Sequence, residues 1–187
     1  MSLAHALLAS LSGNPSSGYD LAKNFDETIS CYWKATQQQI YRELTRMEEQ
    51  GWVSIEVIAQ DGRPNKKIYT VTPLGKHELV EWIALPSEPT QIREDLLVKV
   101  LGGYLVPRPI LRQELERRRA LHAERLAMFE KMARQHYSDL QAVPLEEQFR
   151  YLTLRRGMRF EADWLAWCDE ALELVEKFGE APSVTPQ

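Results

Sequence analysis

Cysteine is nearly absent: the 187 residues hold only Cys31 and Cys168. Two thiols so far apart build no disulfide framework, and neither stands at a zinc-type spacing. A reducing cytoplasm with buried thiols fits that usage. Also missing is any apolar run near the ~18 residues that a membrane span needs. The N-terminal MSLAHALLASL has an apolar centre but no basic stretch ahead of it. It reads as a first helix rather than a signal peptide. Nor does charge of one sign dominate. Lys and Arg number 23 against 27 Asp and Glu, a formal net of −4, shared evenly between the parts before and after Pro86. That balance argues against a general polyanion coater. There is no glycine-rich phosphate loop, no nucleophile elbow and no histidine pair at ligand spacing. His5, His77, His122 and His136 share no motif. An enzyme, a metal site and a bound cofactor are therefore not expected.

Helix signals, by contrast, are plentiful. LAHALLASL places Leu3, Ala6, Leu7 and Leu11 on one side of a short helix. SGNPSSG then breaks it with Gly13, Asn14, Pro15 and Gly18. Ser16 or Ser17 caps a second helix, GYDLAKNFDET, with Tyr19, Leu21, Ala22 and Phe25 as core candidates. A third helix opens at Thr36, with Gln39 three residues on as a capping box. Ile40, Leu44 and Met47 form its apolar stripe, and Gly51 stands where a glycine stops a helix. WVSIEVIAQ alternates like a half-buried strand. DGRPNKK reads as a turn with basic residues at its tip, and IYTVT as a second strand. Thr72-Pro73 starts a fourth helix carrying Leu74, Leu79, Trp82 and Ile83. Three helices, strand, basic turn, strand and helix together make a winged helix-turn-helix.

LPSEPTQ, at 85–91, is the best domain boundary. Beyond it IREDLLVKVLGGYL reads as one apolar helix. Two long helices follow, about 110–140 and 145–178, separated by Pro144. The first carries a stripe of Leu111, Leu115, His122, Phe129 and Met132. The second places Phe149, Leu152, Phe160, Trp164, Trp167, Leu174 and Phe178 on one face. Each is about 45 Å long at 1.5 Å per residue. A hairpin of that length is too thin to bury both apolar faces, so a second copy of the chain is expected to cover them as a homodimer. The fold class is thus mainly α: a winged domain at 1–85, a helical dimerisation domain at 91–178 and a flexible tail at 179–187.

The polar face of the third helix has the chemistry of base reading. Arg suits guanine, Gln suits adenine and a Thr methyl suits thymine. Thr36, Gln37, Gln38, Tyr41, Arg42, Thr45 and Arg46 lie away from the apolar stripe. Lys34 precedes them, and Arg63, Asn65, Lys66 and Lys67 crowd the wing against one acid, Asp61. Together they form a basic stripe on an acidic body, which suits phosphates flanking a read sequence. A plain solvated helix face and a lysine-protected turn remain the bland readings of the same residues. A small-ligand site is less legible. Trp82, Tyr104, Trp164 and Trp167 could line a pocket, with His5, His122 or Arg156 to meet a carboxylate. At helical spacing such aromatics read first as core or interface, and His122 reads as an interface histidine. Arg155, Arg156 and Arg159 are expected to pair with acids on other helices.

YWKATQQQIYRELTRMEEQGWV followed by DGRPNKKIYTVTPLGK resembles the PadR family of bacterial transcriptional regulators. The matching pieces are Trp33, the run Gln39 to Leu44, Gly51, Gly62-Arg63-Pro64, Lys67, Tyr69, Thr72 and Gly75. The resemblance is densest over 30–77 and extends over nearly the whole chain. The C-terminal part is similar to the family's long-helix dimerisation region, first named for virulence activators. The family pattern often has His or Gly near Gln37, so the glutamine leaves the preferred DNA sequence open. The resemblance implies a repressor that reads a palindromic operator on double-stranded DNA as a homodimer. In some members of the family a small aromatic acid or drug-like effector, held between the two domains, releases the DNA; no membrane partner is expected, since an apolar span is missing. The alternative reading is a ligand-sensing or partner-binding helical protein whose winged domain docks protein rather than DNA.

Overall fold

The computed structural model describes residues 3–25, 33, 35–60, 62, 65–89 and 91–177. The chain divides into two compact units, Met1–Pro89 and Thr90–Gln187. In the first, the elements run α1 (Leu3–Leu11), β1 (Ser16–Ser17), α2 (Gly18–Asn24), α3 (Gln37–Glu49), β2 (Val53–Ile58), β3 (Lys66–Val71) and α4 (Pro73–Ala84). This is a winged helix-turn-helix. The three strands pair antiparallel in the order β1-β3-β2. Leu7, Leu8 and Leu11 of α1 meet Leu21 and Phe25, the stripe Ile40, Leu44 and Met47 of α3, and Val53, Tyr69, Val71 and Leu79. Burying that much apolar surface in one cluster is the main drive to fold the unit.

The ends of α3 form as their residues dictate. Thr36 Oγ1 accepts from the Gln39 N–H at 3.2 Å, and the Gln39 side-chain oxygen accepts from the Thr36 N–H at 2.8 Å. At the other end the Gly51 N–H donates to the Glu48 carbonyl and the Trp52 N–H to the Met47 carbonyl, each at 2.9 Å. That pair of bonds is a Schellman stop, and Gly51 supplies the positive φ of 70° that it requires. Thr72 then ties this exit to α4. Its hydroxyl donates to the Gly51 carbonyl at 2.6 Å and accepts from the Gly75 N–H at 3.1 Å.

Several expectations are corrected in this unit. Ser16–Ser17 is not mere punctuation but a short strand, opposite Tyr69 and Ile68 of β3. Tyr19 is not in the core; it is 65% exposed, because Leu21 and Phe25 take the inward side of α2. Leu74 and Ile83 are exposed on α4, which turns Leu79 and Trp82 inward instead. His5 is buried on α1, stacked on the Trp82 ring at 4.6 Å, with its Nε2 3.3 Å from Glu78. Only the base of the hairpin is packed: Val53 is buried while Val57 is exposed, since the wing extends past the core.

The second unit comprises α5 (Asp95–Leu101), a 3-10 turn (Gly103–Leu105), α6 (Arg108–His136) and α7 (Leu145–Lys177). The single apolar helix expected over 92–105 is therefore split, and Gly102 and Gly103 are the break. A Cβ on Gly103 would stand 2.5 Å from Leu111 Cδ2, so the turn packs directly on α6. The two long helices run antiparallel: Arg119 meets Asp169, His122 meets Glu161, and the Tyr137 hydroxyl donates to Glu147 at 3.0 Å. Burial together with that carboxylate pushes the Tyr137 phenol up to about 12. Leu96, Leu111, Leu115 and Ala171 form the small core of this unit.

On α7 the apolar row divides, with Trp164 and Trp167 partly buried against this core. Leu154, Gly157, Glu161, Cys168 and Ala171 are buried, whereas Phe149, Leu152 and Leu174 are exposed. Phe178 lies outside the described residues. His122 bonds to Glu161 within its own hairpin and stacks on Trp164 at 5.2 Å. Arg155 and Arg156 lie over the rings of Tyr151 and Phe160 rather than against acids of another helix. Among the described residues, no helix is long and apolar enough to cross a membrane.

Candidate nucleic-acid interface

Core packing determines which side of α3 is free. With Ile40, Leu44 and Met47 turned inward, Gln37, Gln38, Tyr41, Arg42, Thr45 and Arg46 all come out exposed on the other side, following the capping residue Thr36. Arg42 and Lys67 have no ion-pair partner among the described residues. Arg46 lies 3.7 Å from Glu43 one turn back, a loose surface pair. The Thr45 hydroxyl donates to the Tyr41 carbonyl at 3.2 Å, which leaves its methyl as the apolar contact group. Tyr41 is less free than the sequence suggests. It is 39% exposed, and a Cβ on Gly18 would stand 2.5 Å from its Cε1, so the ring lies against the first residue of α2.

On the wing, Lys66 and Lys67 are not at the tip. The hairpin ladder runs further than expected and takes both lysines into β3, opposite Ile58 and Val57. Backbone pairing there does not depend on side-chain type. Lys67 is exposed, and so is Asn65 just before the strand. Lys66 is partly covered and already paired: its Nζ is 2.9 Å from Asp20 Oδ2. Lys34 and Arg63 fall outside the described residues.

Asp20 is a residue that the sequence reading missed. The Ser17 hydroxyl donates to its Oδ2 at 2.7 Å, and its own N–H donates back to Ser17 Oγ at 3.1 Å. The Ser17 hydroxyl and then the Lys66 ammonium hold its carboxyl below the ordinary carboxylate range. The local half of this arrangement, a serine cap with an acid three residues on, was visible in SSGYD. The partner 46 positions away was not.

The comparisons with known proteins bear on this surface. Residues 7–81 match the model of the transcriptional regulator PadR-like family, and residues 92–176 match the virulence activator alpha C-terminal model. A protein of Mycobacterium tuberculosis named a probable transcriptional regulator is 35% identical, over 95% of this chain and 99% of its own. The chain belongs to the PadR-like family of transcriptional regulators. That makes this PadR-like chain a regulator, not an enzyme. Among solved structures, the Vibrio cholerae virulence activator AphA is 28% identical with a TM-score of 0.74, covering 94% of this chain and 98% of its own. Bacillus subtilis PadR, solved in complex with operator DNA, shares the fold at 24% identity and a TM-score of 0.78, with 92% and 98% covered. The same Bacillus protein was also solved with p-coumaric acid, at 22% identity and a TM-score of 0.72, with 94% and 96% covered.

Proposed function

We propose that this PadR-like regulator binds double-stranded DNA as a homodimer, reads a palindromic operator and acts in the cytoplasm as a repressor. One observation carries the reading. The exposed side of α3 holds paired amides, a guanidinium and a hydroxyl side by side, on a helix whose other side is locked into the core. A rigid rod of that kind can present Gln37, Gln38 and Arg42 to base edges in the major groove. Thr45 offers its methyl, Thr36, Tyr41 and Arg46 help position the rod, and Asn65 and Lys67 lie along the flanking phosphates. Lys34 and Arg63 belong to the same basic stripe by sequence.

Dimerisation is supported by the apolar side chains the second unit leaves uncovered, among them Leu101, Leu105, Leu145, Phe149 and Leu152. Exposed apolar rows of this extent mark an association surface. A second copy would set two reading helices roughly 34–36 Å apart, one turn of B-DNA. Because the Bacillus relative was solved with p-coumaric acid, the proposed effector class is a small aromatic acid.

Mobility-shift titration on the protein's own upstream region, at two salt concentrations, tests the reading. Arg42→Ala is expected to weaken specific binding by about 1–3 kcal/mol. Lys67→Ala should weaken all sequences alike and lower the salt slope by about one. Equal losses on specific and random DNA for both variants would remove the division between reading and gripping. No shift even at low salt would favour a winged domain that docks protein. Adding p-coumarate to the shifted complex should release it, and sedimentation at micromolar concentration should give a dimer.

A further inference from the structure

The first turn of α2 is touched from two sides. Tyr41 of the reading helix lies against Gly18, whose missing Cβ leaves the room for the ring. Lys66 of the wing reaches Asp20 at 2.9 Å, and Asp20 is itself held by the Ser17 hydroxyl at 2.7 Å. Ser17 belongs to β1, which pairs with β3, so the backbone of the wing is anchored at the same place. Three features within four residues of the chain, a cap, a glycine and an acid, therefore connect the reading helix to the wing.

We propose that Asp20 is a specificity-determining residue of the DNA interface: by holding Lys66 against α2, it withholds one wing cation from phosphates and fixes the wing relative to the reading helix. This rests on the DNA-binding reading above. A cation that has a fixed carboxylate partner releases no counterion on binding and adds little to non-specific affinity. Lys66 and Lys67 are adjacent in sequence but opposite in role. Lys67, exposed and without an ion-pair partner among the described residues, can meet phosphate, while Lys66 is a strut. Random DNA, which offers only its backbone, loses the most from that arrangement. An operator gripped by α3 also depends on where the wing lies, so it gains from a fixed wing. The acid thus lowers binding to every other sequence more than it lowers binding to the operator.

The test compares salt-dependent binding to the operator and to random duplex for the full-length protein. Asp20→Asn keeps the Ser17 hydrogen bond and removes the ion pair. It is expected to raise random-sequence affinity roughly three- to tenfold at low salt and to steepen the salt slope by about one. Operator affinity should rise less, so the specificity ratio falls. Asp20→Glu should restore much of the ratio. Lys66→Gln in the otherwise unchanged protein should leave the random-DNA slope nearly untouched, in contrast to Lys67→Ala. In the Asp20→Asn background, Lys66→Gln should abolish the gain. If the gain survives there, the carboxylate acts through its own charge and the strut is wrong. Equal gains on operator and random DNA would overturn the proposal as well. If the unaltered protein shifts no DNA in dilute salt, the DNA-binding reading itself has failed, a result distinct from either.

Discussion

Replacing Glu161 with alanine is expected to destabilise the helical unit by about 3–5 kcal/mol. The side chain has 0% exposure, and that of its partner His122 is only 6% exposed. Their hydrogen bond joins the middle of α6 to the middle of α7, and Arg125 lies 4.0 Å from the other carboxylate oxygen. Removing the carboxylate leaves the imidazole Nδ1 without an acceptor. The same ring already has a buried Nε2 with no hydrogen-bond partner among the described residues. It also leaves a cavity beside Trp164, whose ring stacks on His122 at an interplanar angle of 2°. Loss of a partner and loss of packing therefore act together. Glu161→Gln keeps the shape and an acceptor oxygen and should cost much less. Urea unfolding at fixed protein concentration, followed by tryptophan fluorescence and by circular dichroism, measures both. A loss under about 1 kcal/mol for the alanine variant would show that the pair contributes nothing beyond a surface contact.

In the winged unit the largest effect is expected from Gly75→Ala, a loss of roughly 3 kcal/mol or more. A Cβ there would stand 2.9 Å from the Trp52 carbonyl carbon and overlap its oxygen. Those atoms cannot yield cheaply. The Trp52 N–H is bonded to the Met47 carbonyl at 2.9 Å, and its oxygen accepts the Thr72 N–H at 3.0 Å and the Thr72 hydroxyl at 3.2 Å. A single methyl therefore strains the end of α3, the start of β2 and the start of α4 together. DNA binding should fall along with stability, because the exit of the reading helix is what moves. Gly102→Ala is the control: its Cβ would meet only the Val98 carbonyl, at 3.8 Å, and little change is expected. Comparable losses at both glycines would mean that close approach to Trp52 is not the cause.

The residues of the candidate interface divide according to the range of the forces that place them. Arg42 and Gln38 could be assigned to an outer face because Ile40, Leu44 and Met47 announce the inner one within three turns. Asp20 could not be assigned, because its role depends on a lysine brought in by a strand 46 residues later. Tyr19 was misplaced for a related reason. On a helix as short as α2, two apolar side chains suffice for the core, and the spacing alone does not say which one is left out. A charged run such as that of the wing lysines reads as a turn, while ladder length is decided between two backbones.

The sequence by itself determined the order of the helices and of the hairpin strands in the winged unit, the limits of α3 and the residues on its free side. Those signals act through hydrogen bonds and packing between positions three to five apart, which a linear chain already brings together. Only the tertiary structure decided that Ser16–Ser17 joins the sheet, that Lys66 is taken by Asp20, and that α7 buries Glu161 against His122. Each of these depends on a partner dozens of residues distant. Which partner arrives is settled by how whole faces pack, a property of no local stretch.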